Sequence, residues 1–468
     1  MITSLQYKKI NYSVDLLSIH EKNPKQYPFL LESVASDSEN NRYDILFAFP
    51  QEKIKLNQPG QLESDLEFDS ATPFLSALNA VYQKEYNNHQ DLIELPFRGG
   101  WFLYLAYELA QEIEPVLDLP HDKVGTLPIA YACRIPATII VDRKKQETWC
   151  LAEEKNSELL GNMLDNLLGD LPSDCIKNDE IKNTALDYEV VEENPNIYLN
   201  AVKKIKQYIL DGDVFQVNLS RLWKISLQQD ISAAQLYARL RKSNPAPFSA
   251  LCCIDNAAII SSSPERLFSV KNKTVETRPI AGTKPRQRDA NGNFDIQADK
   301  RLQDELIAHP KERAEHVMLI DLERNDLGRI AKPGTVEVNE LMVLESYEHV
   351  HHIVSNVRAE LKSNILPGDI IAATFPGGTI TGCPKVRCME IIAELEQAPR
   401  GAYTGALGYL NLNGDMDLNI LIRTIVQSGK ELHIRAGAGI VNDSNEENEL
   451  LETRAKAKGM LNSVKACF

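Results

Sequence analysis

Short apolar runs set off by turns dominate the first third of the chain. Pro28–Ser33 (PFLLES), Arg42–Pro50 (RYDILFAFP) and Ile135–Asp142 (IPATIIVD) predict strands. Gly99–Ile113 (GGWFLYLAYELAQEI) places apolar residues at helical spacing and predicts a helix. Ile197–Leu210 predicts another, with Ile197, Val202, Ile205 and Ile209 on one face. The period then changes. Phe215, Val217 and Leu219 alternate with Gln216, Asn218 and Ser220, which predicts a strand with one polar face. Ala257–Val270 and Lys273–Thr283 predict further strands with a turn between them. His309-Pro310 opens a helix whose apolar stripe is Val317, Met318 and Leu322. Ser444 with Glu447 predicts a capping box for a last helix buried through Leu450, Ala457 and Leu461. Strands and helices mix without a regular βαβ beat, so the fold class is α+β with mainly antiparallel sheet.

The stretch 155–196 begins as a plausible helix and turns polar and acidic. It divides the chain into an N-terminal region (1–155), a polar linker (156–196) and a C-terminal region (197–465). A length of 468 residues exceeds what one core usually covers. The net charge of −15 argues against nucleic acid and anionic membrane as partners. No run approaches the roughly 18 apolar residues of a membrane span, and the N-terminus lacks the apolar core of a signal peptide. The eight cysteines show no CxxC pair and no zinc spacing, which reads as buried thiols in a reducing compartment, the cytoplasm.

Chemistry concentrates in the C-terminal region. Glu312-Arg-Ala-Glu315 and Glu449-Leu-Leu-Glu452 each put two carboxylates on one helix face. Two such faces opposed suit Mg²⁺, which takes few carboxylates and keeps water and substrate oxygens. Acidic residues in a first turn also complement the helix dipole, and spacing leaves both readings open. Phe375–Leu395 carries a glycine-rich loop into a helix marked by Met389, Ile392, Ala393 and Leu395, with Pro384 at its first position. Free amides at such an end bind anions, but Cys383 stands where a P-loop lysine belongs. The small residues of Arg435–Val441 (RAGAGIV) let a ligand approach the backbone. On a strand, His349 and His351 face one way and His352 the other. Thr277–Arg286 (TRPIAGTKPR) flanks a Gly-Thr turn with arginines, as if for an anion, yet its centre, Ala281, carries no chemistry.

In order, SPERL, ETRPIAGTKPR, KERAEHVMLIDLERNDLGRI, VHHIVS, GGTITGCPKVR, GAYTGALGY, IRT, AGAGIV and ETRAKA resemble the chorismate-utilising enzymes. That family includes anthranilate synthase component I, aminodeoxychorismate synthase component I and the isochorismate and salicylate synthases. The resemblance runs from about residue 197 to 460, with a weaker match over most of the rest. It implies two packed, mainly antiparallel sheets with helices outside. It implies Mg²⁺ at Glu315 and Glu452, with Glu312 and Glu449 close by, holding the ring carboxylate of chorismate. Arg423, Tyr403 and the amides of Gly437, Ala438 and Gly439 would meet the enolpyruvyl carboxylate, with Lys456 also in the substrate set. Gly282 and Thr283 would line the site, Thr379 and His352 would lie beside the ring, and Glu265 would protonate the leaving C4 hydroxyl.

Family members that add water carry a lysine base where this chain has Gln216. The glutamine resembles the ammonia-using branch, which implies a separate glutamine amidotransferase subunit and a heterodimer. Ala281 stands where many aminodeoxychorismate synthases carry a nucleophilic lysine, and resembles anthranilate synthases. QVNLSR, NPAPFSA, FPGGTITG and NRYDILFA are similar to the aminodeoxychorismate branch. The expectation is aminodeoxychorismate synthesis for para-aminobenzoate and folate, with an aminodeoxychorismate lyase downstream. Without the lysine, ammonia must reach C4 by another route, such as a 2-amino intermediate. Anthranilate synthesis is the alternative, and a non-catalytic chorismate-binding protein a third reading. Ser33, Arg42, Tyr43, Pro247, Phe248 and Ser249 match the family's tryptophan pocket, which implies bound L-tryptophan.

Overall fold

The computed structural model describes residues 4–34, 42–87, 94–122, 125–154, 163–172, 186–288, 294–346 and 350–465. Two antiparallel sheets form the body. The first has twelve strands, in the order Ser4–Ile10, Glu147–Glu154, Ala137–Asp142, Tyr43–Ala48, Phe29–Glu32, Phe248–Ile254, Ala257–Ser263, Thr424–Ser428, Glu431–Ile440, Gln216–Leu227 and Tyr188–Glu192, with Gly382–Cys383 also paired to Gln216–Leu227. The second has eleven, in the order Ile280–Pro285, Val350–Glu360, Thr274–Thr277, Arg266–Lys271, Met416–Ile420, Ala406–Asn411, Gly100–Leu105, Ala130–Ile135, Lys53–Gln58 and Gln61–Ser64, with Glu337–Ser346 also on Val350–Glu360. The α+β, two-sheet expectation holds. Each sheet draws strands from both sequence regions, so the backbone ladders run continuously across the junction.

Apolar faces of both sheets meet in a shared core that includes Phe29, Phe47, Phe102, Tyr131, Leu407 and Tyr409. Phe29 of the first sheet stacks on Phe102 of the second, centroids 4.0 Å apart and planes parallel. Such a pair adds roughly 0.5–1.5 kcal/mol beyond its buried area. Helices cover the outer faces, including Ala233–Ser243 and Glu446–Lys465 on the first sheet and Phe74–Glu85 and Pro310–Ile330 on the second.

Several local expectations need correction. Gly100–Leu105 is a strand with all six residues buried, followed by the short helical turns Tyr107–Leu109 and Ala110–Ile113. A strand buried on both faces reads as a continuous apolar run, which periodicity cannot tell from a helix. The stretch 156–196 does supply the expected helix, Met163–Asp170, with Leu167 buried, and adds the edge strand Tyr188–Glu192. The helix Pro195–Leu210 buries Tyr198, Ala201, Val202 and Ile205, while Ile197 is exposed. Phe215 precedes its strand and is exposed. In Pro310–Ile330, Pro310 does open the helix, but the buried face is His316, Leu319, Ile320, Glu323, Asp326 and Leu327, with Val317 exposed. The last helix is capped by Asn445, whose Oδ1 accepts from the Asn448 amide; the Ser444 hydroxyl accepts from the Val441 amide instead. Pro384 lies one residue ahead of the helix Lys385–Glu396.

Candidate active site

The site forms where strands of the two sheets face the helices Pro310–Ile330 and Glu446–Lys465. On the second sheet, Ile280–Pro285 pairs with Val350–Glu360, and the register slips between Ala281 and Thr283. Gly282 takes up the slip at φ +70, which disfavours any other residue. A Cβ there would lie 3.0 Å from both Glu312 Oε2 and Leu306 Cδ1, so the missing side chain lets Glu312 approach the turn. Thr283 lies opposite His352, and Thr283 Oγ1 is 2.9 Å from His352 Nδ1. Gly282 O, which can only accept, is 3.4 Å from the same nitrogen, so Nδ1 carries the proton and Nε2 is the basic nitrogen. Burial first, and then Arg423, push the His352 pKa down to about 4, so the imidazole is neutral at physiological pH.

Glu265 follows the strand Ala257–Ser263 and is buried. Thr379 Oγ1, from the short 3₁₀ turn Gly378–Ile380, donates to Glu265 Oε1 at 2.8 Å. Burial pushes the Glu265 pKa up to about 7, against the opposing pull of the Thr379 hydroxyl, Lys456 and Arg423. A carboxyl that titrates near neutrality is suited to general acid work. Arg423 sits at φ +52. Its guanidinium makes no hydrogen bond or ion pair among the described residues, and burial lowers its pKa. A desolvated cation without a partner is poised for an anionic ligand.

On the first sheet, Gln216–Leu227 pairs with Glu431–Ile440, setting Asn218 opposite Gly439 and Ser220 opposite Gly437. Gln216 Nε2 donates to Glu315 Oε1 at 3.3 Å, joining the first sheet to the helix behind the second. A Cβ on Gly437 would lie 2.7 Å from Tyr403 Oη, which brings that hydroxyl to the strand. Ala438 is fully buried between the two glycines. Lys456 Nζ donates to Gly437 O at 3.0 Å and pairs with Glu452 at 2.7 Å, one turn earlier on an exposed helix face.

The two Glu-x-x-Glu pairs thus border one region, Glu312 at Gly282, Glu315 at Gln216 and Glu452 at Lys456. Among the described residues, no three His, Cys, Asp or Glu side chains form a group able to hold a metal ion. The protein offers few carboxylates and only oxygen donors, a set that fits a hard cation whose remaining ligands are water and substrate. His351 is not part of this region's chemistry: it is fully buried, with Nε2 2.9 Å from Asp299 and Nδ1 2.7 Å from Ser346. His349 lies outside the described residues. Ala281 is buried opposite Ile353.

Three features escaped the sequence. Asn218 lies on the strand face that the alternation marked only as polar. Tyr198 brings a buried hydroxyl to the field of Glu449, Tyr403 and Glu452. Behind the Thr379 turn, Lys385 Nζ pairs with buried Asp326 at 2.5 Å, and burial with Asp326 pushes the Glu323 pKa up to about 8.

The segments expected to hold tryptophan lie together on the first sheet. Phe29–Glu32 pairs with Phe248–Ile254 so that Glu32 faces Ser249, and Ser33 N donates to Asp44 at 2.9 Å. Pro247 and Ser249 are buried, and Phe248 packs under Arg266 at 5.0 Å. Arg42 is paired with Asp142 at 2.7 Å and lies over the Tyr43 ring at 4.8 Å.

A family model described as chorismate binding enzyme matches residues 31–462. Aminodeoxychorismate synthase component 1 of Bacillus subtilis is 42% identical over 370 residues, covering 78% of this chain and 76% of that protein. Anthranilate synthase component 1 of Aquifex aeolicus is 36% identical over 466 residues, covering 96% and 91%. Among solved structures, anthranilate synthase component I from Streptococcus pneumoniae superposes with a TM-score of 0.77 at 32% identity, covering 91% of this chain and 93% of that one.

Proposed function

The chain belongs to the chorismate-binding enzyme family, and from that premise we propose that it is the synthase subunit of an aminodeoxychorismate synthase. It aminates chorismate with ammonia from a glutamine amidotransferase partner, to give 4-amino-4-deoxychorismate for a downstream lyase. The observation that carries the amination reading is the buried amide of Gln216 held against Glu315, where a water-adding relative needs a lysine.

In this reading Arg423, Tyr403 and the Gly437–Gly439 backbone bind the enolpyruvyl carboxylate. Ammonia forms a C–N bond at C2 while the ring double bonds shift and the C4 hydroxyl leaves. Glu265 gives that hydroxyl its proton, so it departs as water, and the new ammonium nitrogen returns a proton to the Glu265 carboxylate. A second ammonia then forms a C–N bond at C4 while the ring double bonds shift back; Glu265 protonates the C2 amine, which departs as ammonia, and the new C4 ammonium returns that proton to Glu265. Mg²⁺ bound by Glu315 and Glu452 would supply charge neutralisation at the ring carboxylate. Neutral His352 donates no charge of its own and orders the ring edge through Thr283 and Gly282.

Anthranilate synthesis is the second reading, and Ala281 favours it. The same 2-amino intermediate would then lose pyruvate instead of meeting a second ammonia. QVNLSR, NPAPFSA and the Bacillus relative support the C4 product. The test is to incubate the chain with chorismate, Mg²⁺ and an ammonium salt, with and without aminodeoxychorismate lyase. 4-Aminobenzoate only in the presence of lyase supports the proposal. Anthranilate without lyase overturns it. The proposal extends to L-tryptophan between Ser33, Tyr43 and Pro247–Ser249, and calorimetry on ligand-stripped protein that detects no binding removes that part.

A further inference from the structure

The strand Gln216–Leu227 carries two buried amide oxygens, Gln216 Oε1 and Asn218 Oδ1, without a hydrogen-bond partner among the described residues. Folded proteins seldom leave buried acceptors unmet without a reason. The orientation of Gln216 follows from its neighbour. A carboxylate only accepts, so the Gln216 amino group must face Glu315, and its carbonyl must face away. Asn218, two residues along, projects from the same face of the strand. Opposite them, glycine replaces any side chain. A Cβ on Gly439 would lie 2.5 Å from Gln216 Nε2, and one on Gly437 would lie 3.0 Å from Asn218 Oδ1. The two notches give both amides room, and the Gly437 notch sets Asn218 beside the Tyr403 hydroxyl.

We infer that Gln216 Oε1 and Asn218 Oδ1 form the seat of the incoming ammonia, each accepting one N–H bond so that the lone pair faces the substrate ring. The inference rests on the amination reading above. Ammonia offers three donors and one lone pair, so two fixed acceptors can hold it and leave the lone pair aimed. Neither amide can remove a proton, and ammonia needs none removed before it attacks. Water in the same seat would remain un-ionised, because a base is what makes it a nucleophile. Ammonium would fit the acceptors but has no lone pair to give. The pair therefore selects the nucleophile by hydrogen bonding as well as by the absence of a base.

The test is steady-state kinetics with chorismate and ammonium chloride at fixed pH, on the full chain and on Asn218→Leu. Losing one acceptor is expected to raise the KM for ammonia about fivefold or more. The KM for chorismate should stay within about twofold. Asn218→Ala, which removes the same oxygen with less bulk, should show the same split even where the leucine variant folds poorly. A folded variant with unchanged KM for ammonia overturns the seat. So does an equal rise in both KM values, which would mark Asn218 as a structural residue of the pocket. A wild-type chain that consumes chorismate without any aminated product fails the amination reading itself, a distinct outcome under which the seat falls too.

Discussion

Thr379 Oγ1 donates a 2.8 Å hydrogen bond to Glu265 Oε1, and that bond favours the ionised carboxylate which burial opposes. The hydroxyl therefore holds the acid's proton affinity below what burial alone would set. Thr379→Val should raise the Glu265 pKa from about 7 and move the alkaline limb of kcat/KM to higher pH. Loss of the orienting bond should also lower kcat, by roughly tenfold. pH–rate profiles of both proteins check this, and a limb that moves down or stays put refutes the pairing.

Glu265 also taxes the fold. Its folded pKa stands above the unfolded carboxyl value, so the native state binds more protons. Stability falls as pH rises from about 4.5 to about 7 and stays low above that. Glu265→Gln removes the titration. It should abolish turnover and melt at a higher temperature than wild type at pH 8, by up to about 3 kcal/mol of stability. At pH 4.5 the advantage should vanish. Thermal melts at both pH values decide it.

The guanidinium of Arg423, unpartnered among the described residues, makes the carboxylate assignment testable. Arg423→Gln should raise the KM for chorismate about 10- to 100-fold, the range for losing charge-assisted hydrogen bonds to a ligand. Because no protein partner is stranded, melting temperature should not fall. A destabilised variant with normal substrate KM would assign the arginine to structure.

Among the described residues Glu452 pairs with Lys456 alone, on an exposed helix face, so its removal should spare the fold. Glu452→Gln should lose Mg²⁺-dependent turnover while keeping its melting temperature within about 1 °C. Calorimetric titration of Mg²⁺ in the presence of chorismate gives an independent reading. Unaltered activity or unaltered metal affinity would exclude Glu452 as a ligand.

Candidate site residues carried by short contiguous strings were legible in the sequence. Glu265, Thr283, His352, Thr379 and Arg423 lie in short, chemically distinctive strings; hydrogen bonds join Thr283 to His352 and Thr379 to Glu265, and the charge of Arg423 acts on both Glu265 and His352. Burial was less legible. Six buried residues in Gly100–Leu105 mimic a helix, because nothing in an all-apolar run marks which face is which. The buried face of Pro310–Ile330 includes His316, Glu323 and Asp326, which a search for apolar stripes passes over. Asn218 looked like solvent-facing alternation. Only the glycines across the ladder, distant in sequence, show that its oxygen is enclosed.

The interleaving of the two sheets bears on synthesis at the ribosome. Phe29–Glu32 pairs early with Tyr43–Ala48 but gains its second neighbour only when Phe248–Ile254 has emerged, and Gly100–Leu105, paired early with Ala130–Ile135, must wait for Ala406–Asn411 on its other edge. At roughly 5–20 residues per second, the earlier strands spend about 10–60 s with one backbone edge unpaired. Such edges invite association between nascent chains. The early strands cannot be finished one at a time, so both sheets close only after the C-terminal strands have emerged.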